Sequence, residues 1–331
     1  MVATEKDQVK EQLRASLFLA NYARNIAPLV QQETETVRKQ LPYKIPRGYK
    51  PWGAIAAEVG VAIATLATKF PKTPGDYFYS MLLGLWLATR SPIYAIKRDL
   101  LRAFELSDVA PEKGLLADIN PPLPTFMLLL PLNALVTPEG DSVNTIAIHL
   151  VDKAHPERSI GIRDNTAYEV GMKELPNRHS LLWAAIDSSL IVWHSRSSVT
   201  EDGALRNNYE RNQGDLETSQ EDIAFMKKVD SILAQILLSL TYRPDLLGEE
   251  ALSAPGKPKG FGAAAPGRSP ILRPRWLGEG FKLPARSPAG DKTHSSPTAH
   301  WRRGHWKRVP VGPRDQGGRK WTFIQPTFVN G

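Results

Sequence analysis

Thr125-Phe126-Met127-Leu128-Leu129-Leu130 lies between Pro121, Pro122 and Pro124 on one side and Pro131 on the other. Proline cannot donate to a β-ladder and disrupts a helix, so this apolar run must be short and reads as a buried strand. Just beyond it, Thr137-Pro138-Glu139-Gly140-Asp141 carries turn chemistry. Residues 143–151 (VNTIAIHLV) alternate and are rich in β-branched side chains, which predicts a second strand. A turn at 153–157 leads to a third expected strand at 158–163, and 181–193 (LLWAAIDSSLIVW) holds one longer strand or two short ones. At 218–242 the period changes. Ile223, Met226, Val229, Leu233, Ile236 and Leu240 recur on one helical face, and Thr218 to Glu221 has the capping-box spacing, with Asp222 also in the first turn.

Upstream, the period is helical. Val9, Leu13, Leu17, Ala20, Ala23 and Ile26 predict a long helix over 5–38, which Pro28 kinks or ends. A turn-rich loop at 41–51 separates it from helices expected at 53–70, 75–89 and 92–106. The last of these is expected to start with Ser91 as N-cap and Pro92 as its first residue. Asp99, Glu105, Asp108 and Glu112 read as its solvated side and exit, and Trp52, Trp86, Trp183 and Trp193 as core. The expected fold class is α+β: an N-terminal helical layer packed with a small, mostly antiparallel sheet. An extended basic Pro/Gly-rich tail ending in a small β element follows. The expected division is 1–110 helical, 111–243 β-rich with a closing helix, 244–297 a flexible basic linker, and 298–331 a basic aromatic module.

Charge supports that division. Residues 251–331 hold fifteen Lys/Arg against three Asp/Glu, whereas the whole chain has a net charge of only +8. The end of the chain therefore supplies more than all of the excess, a pattern suited to a polyanionic partner. The same 81 residues contain eleven Pro and twelve Gly, the composition of extended chain. There is no cysteine, which excludes disulfides and thiolate chemistry. The first ten residues are polar, and no apolar h-region follows them. The longest apolar stretch, 54–68, contains Glu58 and is shorter than the roughly 20 residues a bilayer requires. The expected location is cytoplasmic, with no membrane partner.

The sharpest local feature is His300-Trp301-Arg302-Arg303-Gly304-His305-Trp306-Lys307-Arg308, a His-Trp-basic unit repeated across one glycine. Cations neutralise phosphate, and an indole offers a flat face for an unpaired base, worth about 1–3 kcal/mol per base. Gly304 would permit a tight turn or a close approach of backbone to ligand. Arg314, Arg319 and Lys320 add charge beside Trp321. The candidate nucleic-acid-binding set is therefore His300, Trp301, Arg302, Arg303, His305, Trp306, Lys307, Arg308, Arg319, Lys320 and Trp321. The bland reading of the same residues is an aromatic cluster closing a mini-domain, with its cations merely solvated.

Other chemistry finds less support. His294, His300 and His305 with Asp291 match no zinc spacing, so no metal and no small-molecule cofactor is expected. His149, His155, His179 and His194 are the histidines of the folded part. His194 stands near Ser195 and Asp187, but no nucleophile elbow, P-loop or dinucleotide fingerprint is present. No catalytic residue is assigned. A metal-independent nuclease and a phage structural or assembly protein stay open as alternatives.

The motif at 300–307, Gly-Arg-Lys-Trp-Thr-Phe-Ile-Gln-Pro at 318–326 and the final Gly331 resemble a short module at the ends of phage- and plasmid-borne proteins. The layout also resembles the type V anti-CRISPR proteins that lower synthesis of the effector nuclease. The shared features are a helical front, a proline-flanked Leu run, the Thr-Pro-Glu-Gly turn at 137–140 and the basic His-Trp tail. The resemblance implies a regulator that couples recognition of a nascent polypeptide to loss of its mRNA. On that expectation the tail meets RNA or the ribosome, and residues 1–245 meet a protein or nascent-peptide client.

Overall fold

The computed structural model describes residues 79, 82–86, 91–108, 116, 119, 125–152, 179–189, 192–199, 205–207, 219–251, 274–283, 300–311 and 318–329, with Gln32 and Lys39 at isolated helical positions. Apart from Gln32, the helices expected at 5–38 and 53–70 and the strand at 158–163 lie outside these residues, as do Trp52, Asp291, His294 and Arg314.

An eight-stranded mixed sheet organises the α+β fold. Its strands are β1 (Ile93–Ile96), β3 (Thr125–Leu129), β4 (Val143–Asp152), β5 (His179–Asp187), β6 (Val192–Val199), β7 (Leu205–Asn207), β8 (Leu247–Ala251) and β9 (Arg275–Leu277). They lie in the order β7-β6-β5-β4-β3-β1-β9-β8. Only β1 runs parallel to its neighbours, β3 and β9; the other pairings are antiparallel. At eight strands the sheet is larger than the sequence suggested.

Both faces of its centre are covered. Phe126 and Leu128 of β3, Ile146 and Ile148 of β4 and Trp183 of β5 enter one core, with helices α1 (Arg98–Glu105) and α2 (Gln220–Tyr242). Met127, Leu129, Ala147, Leu182 and Ala184 enter the other, against Tyr79, Leu82, Leu83 and Trp86 of the helical stretch before β1. A strand buried on both sides is apolar at every position, which is why 126–130 shows no alternation. The 137–141 turn forms as expected: Gly140 donates to Thr137 O at 3.0 Å and takes φ +94°, a conformation that favours glycine.

Three readings are corrected. The helix expected from Pro92 is a strand followed by a shorter helix. Ile93-Tyr94-Ala95-Ile96 pairs with β3 and β9, and α1 begins only at Arg98, with Lys97 rather than Ser91 as N-cap. A short apolar run does not distinguish a central strand from a buried helix; here the ladder partners decide. The capping box of α2 is Ser219 with Asp222, one residue later than expected: Asp222 N donates to Ser219 Oγ at 3.0 Å and Ser219 N to Asp222 Oδ2 at 2.9 Å. Finally, the stretch read as a flexible linker contributes β8 and β9 to the main sheet. Trp276 is buried with Lys97 Nζ 3.9 Å from its ring centroid, and Gly278 N donates to Leu246 O at 2.7 Å. The Pro/Gly-rich composition around Arg275-Trp276-Leu277 hid a strand too short to show a period.

Buried polar groups tie α2 to the sheet. Asp230 accepts from Trp183 Nε1 at 2.5 Å and from Ser197 Oγ at 2.8 Å, and Gln235 Nε2 donates to Phe104 O at 2.8 Å. These bonds fix the rotation of a helix whose middle is buried all round, where apolar packing alone would leave the choice weak.

Candidate nucleic-acid interface

The last described residues form β10 (His300–Arg302), β11 (Gly304–Val311), β12 (Gly318–Ile324) and β13 (Thr327–Val329). β10 pairs with β13 from His300↔Val329 to Arg302↔Thr327, and β11 with β12 from His305↔Ile324 to Val311↔Gly318. Five residues forward from His300 and five back from Val329 give His305 and Ile324. The two ladders therefore share one register and make a single hairpin, interrupted at Arg303 and at Gln325-Pro326.

That register resolves the tandem repeat. Side chains on a strand alternate faces, so residues five apart point to opposite sides. Trp306 lies in the core, 1% exposed, with ring centroids 5.3 Å from Phe323 and 6.3 Å from Tyr242 of α2. Trp321, 5% exposed, joins the same core, and Phe323 meets Phe104 of α1 edge-on at 5.8 Å. Trp301 is half-buried and packs edge-on to Phe328 at 5.4 Å. The expectation of three indole stacking faces is thus corrected. Trp306 and Trp321 hold the hairpin to the main domain, and Trp301 alone keeps exposed surface.

Gly304 is corrected in the same sense. It is buried at the start of β11, which runs parallel to the two-residue strand β2 (Ser107–Asp108). A Cβ there would strike Ser107 Oγ and would lie 2.8 Å from Pro326 Cδ and 2.9 Å from Ile324 O. The close approach that glycine permits is to protein. Gly304 N donates to Leu106 O at 3.2 Å, and Ser107 Oγ to Ala103 O at 2.6 Å, so the end of α1 is the docking point.

The cations stay outside. Arg302, Arg303, Lys307, Arg308, Arg319 and Lys320 are all exposed, as is His300, and His305 is partly so. Arg308 also lies over the Trp321 ring at 4.9 Å, a cation–π contact that sequence reading missed; the direct opposition of the two residues in the ladder produces it. The strands of the hairpin carry five Lys/Arg and no carboxylate, and Arg303 between β10 and β11 is a sixth cation.

The catalytic possibilities weighed from sequence are not assembled among the described residues. Ser195 and His194 are neighbours on β6 and so face opposite sides of the sheet. Asp187 accepts from Trp193 Nε1 and Ser189 N, each at 3.0 Å. Burial lowers the pKa of His194. His149 is fully buried with Nδ1 2.7 Å from Thr125 Oγ1, and burial lowers its pKa to about 3. Among the described residues no group of three His, Asp or Glu could hold a metal ion, and no helix is long and apolar enough to cross a membrane.

Comparison with known proteins places the chain. No curated protein matches its sequence. A crystal structure of AcrVA2 aligns over 97% of this chain and 99% of that one, at 10% identity and a TM-score of 0.46, a likeness too slight to build on. The model of the AcrVA2-like family matches residues 94–331, from β1 through the hairpin. With well over half its length in that match, the chain belongs to the AcrVA2-like anti-CRISPR type V subtype A2 family.

Proposed function

We propose that this chain is a phage- or plasmid-encoded regulator that lowers expression of a target, its hairpin engaging RNA or the ribosome while the main domain recognises a protein or nascent-peptide client. The family supports the anti-CRISPR character. The observation that carries the nucleic-acid reading is the exposed array of six Lys/Arg, without a carboxylate among the described residues 300–311 and 318–329, on a hairpin fastened to the core by Trp306, Trp321 and Phe323. Phosphate contacts supply most of the affinity for a nucleic acid and need such an array. Fastening matters because a client held by the main domain and an RNA held by the hairpin would then keep a fixed separation.

Removing the hairpin would strip three aromatic residues from the core, so the test uses surface substitutions. The triple variant Arg302→Glu, Lys307→Glu, Lys320→Glu should fold and lose RNA crosslinked in cells relative to the native chain. It should also lose repression of a target reporter. Equal crosslinking by the two proteins would refute the reading.

A further inference from the structure

We propose that the outward face of the hairpin carries single-stranded RNA, with one base stacked on Trp301 and the sugar-phosphate backbone passing His305 toward Lys307 and Lys320. This rests on the RNA reading above and narrows it to one face and one stacking position.

The common register defines the face. Residues opposite one another in an antiparallel ladder project to the same side. Trp301 and Phe328, His305 and Ile324, Lys307 and Thr322, and Val309 and Lys320 therefore share one side, and Trp306, Phe323, Arg308 and Trp321 the other. In the middle of the ladder Lys307, Lys320 and Ile324 are exposed and His305 and Thr322 partly so, whereas Trp306, Trp321 and Phe323 on the other side are buried; Arg302, Arg308, Arg319 and Thr327 of that other side also reach solvent, and Trp301 is partly exposed.

The chemistry of the face selects its occupant. Lys307 and Lys320 stand diagonally across the ladder, about 7–8 Å apart at the backbone. Lys307 lies six positions on from Trp301, at most about 20 Å of strand. That length takes a short single strand of a few nucleotides. A duplex hides the flat faces of its bases, so an indole gains little from it, and the hairpin offers no helix for a groove. An acidic peptide would use the two ammonium groups but has no need of an indole beside them. Stacking plus phosphate neutralisation uses both the indole and the two ammonium groups.

The test measures binding of full-length protein to a short oligouridylate, to duplex RNA of equal length and to phosphatidylserine vesicles across a salt series. Trp301→Ala should weaken single-strand binding about 10-fold and leave duplex binding unchanged, and Trp301→Phe should restore most of the loss. Lys307→Ala with Lys320→Ala should make the log–log salt slope shallower by about 1.4, two contacts at roughly 0.7 each. Arg302→Ala with Arg319→Ala, an equal charge loss at positions of the opposite parity, should change it by less than half as much. If the native protein binds no oligouridylate, the RNA reading and this inference fall together. If it binds, but the Arg302/Arg319 pair matters more than Lys307/Lys320, the face is wrong and the RNA reading stands. Equal binding of duplex or vesicles, with Trp301→Ala silent throughout, would overturn single-strand stacking in favour of a general anion surface.

Discussion

The main sheet and the C-terminal hairpin use the same strand geometry for different ends. In β3 every residue from Thr125 to Leu129 is buried, because helices cover both faces. In β11 the inner side holds Trp306, and the outer side shows Lys307 to solvent. The centre of the sheet thus hides its side chains, whereas the hairpin buries Trp306, Trp321 and Phe323 and leaves its cations in solvent. Residue type therefore does not fix role here. Trp301 and Trp306 belong to one repeated motif, yet one is partly exposed and the other holds the hairpin in place.

The sharpest way to break that contrast is to truncate each indole. Trp306→Ala should cost about 3–5 kcal/mol in denaturant unfolding, the usual range for a buried aromatic, and Trp301→Ala under about 1.5 kcal/mol. Equal losses would erase the distinction. Gly304→Ala should cost about 1–3 kcal/mol by overpacking the seam. Adding Ser107→Gly should recover only part of it, because Pro326 and Ile324 O remain close. Full recovery would show the seam to be more yielding than the geometry implies.

A third test concerns the sheet. His149 has a folded pKa of about 3 against an ordinary 6.5, so between these values the unfolded chain binds the proton more readily. Its contribution is therefore complete above pH 6.5 and is lost as pH falls, by about 1.4 kcal/mol for each unit below that value. His149→Gln, which can still bond Thr125, should flatten the acid side of the stability profile relative to the native chain. Superimposable profiles would mean that His149 is hydrated in the fold. The smallest effect is at the start of α2, remote from the hairpin surface: Ser219→Ala should cost about 1 kcal/mol by thermal unfolding, with no change in RNA binding.

Much of the fold was legible locally. Prolines bounded β3, alternation gave β4, turn chemistry gave 137–141, and the 3.6-residue period gave α2, because each signal lies within a few adjacent residues. The basic, aromatic character of 300–328 was equally plain. Ile93–Ile96 and Arg275–Leu277 were not legible as strands, because each is too short to carry a period and exists by pairing with the other across some 180 residues. The side chains available for meeting an anion are already present in the order of residues 300–328. Which of the aromatic residues remain reachable depends on packing, because the core built with α1 and α2 takes up Trp306, Trp321 and Phe323 while the cations on both sides of the ladder reach solvent.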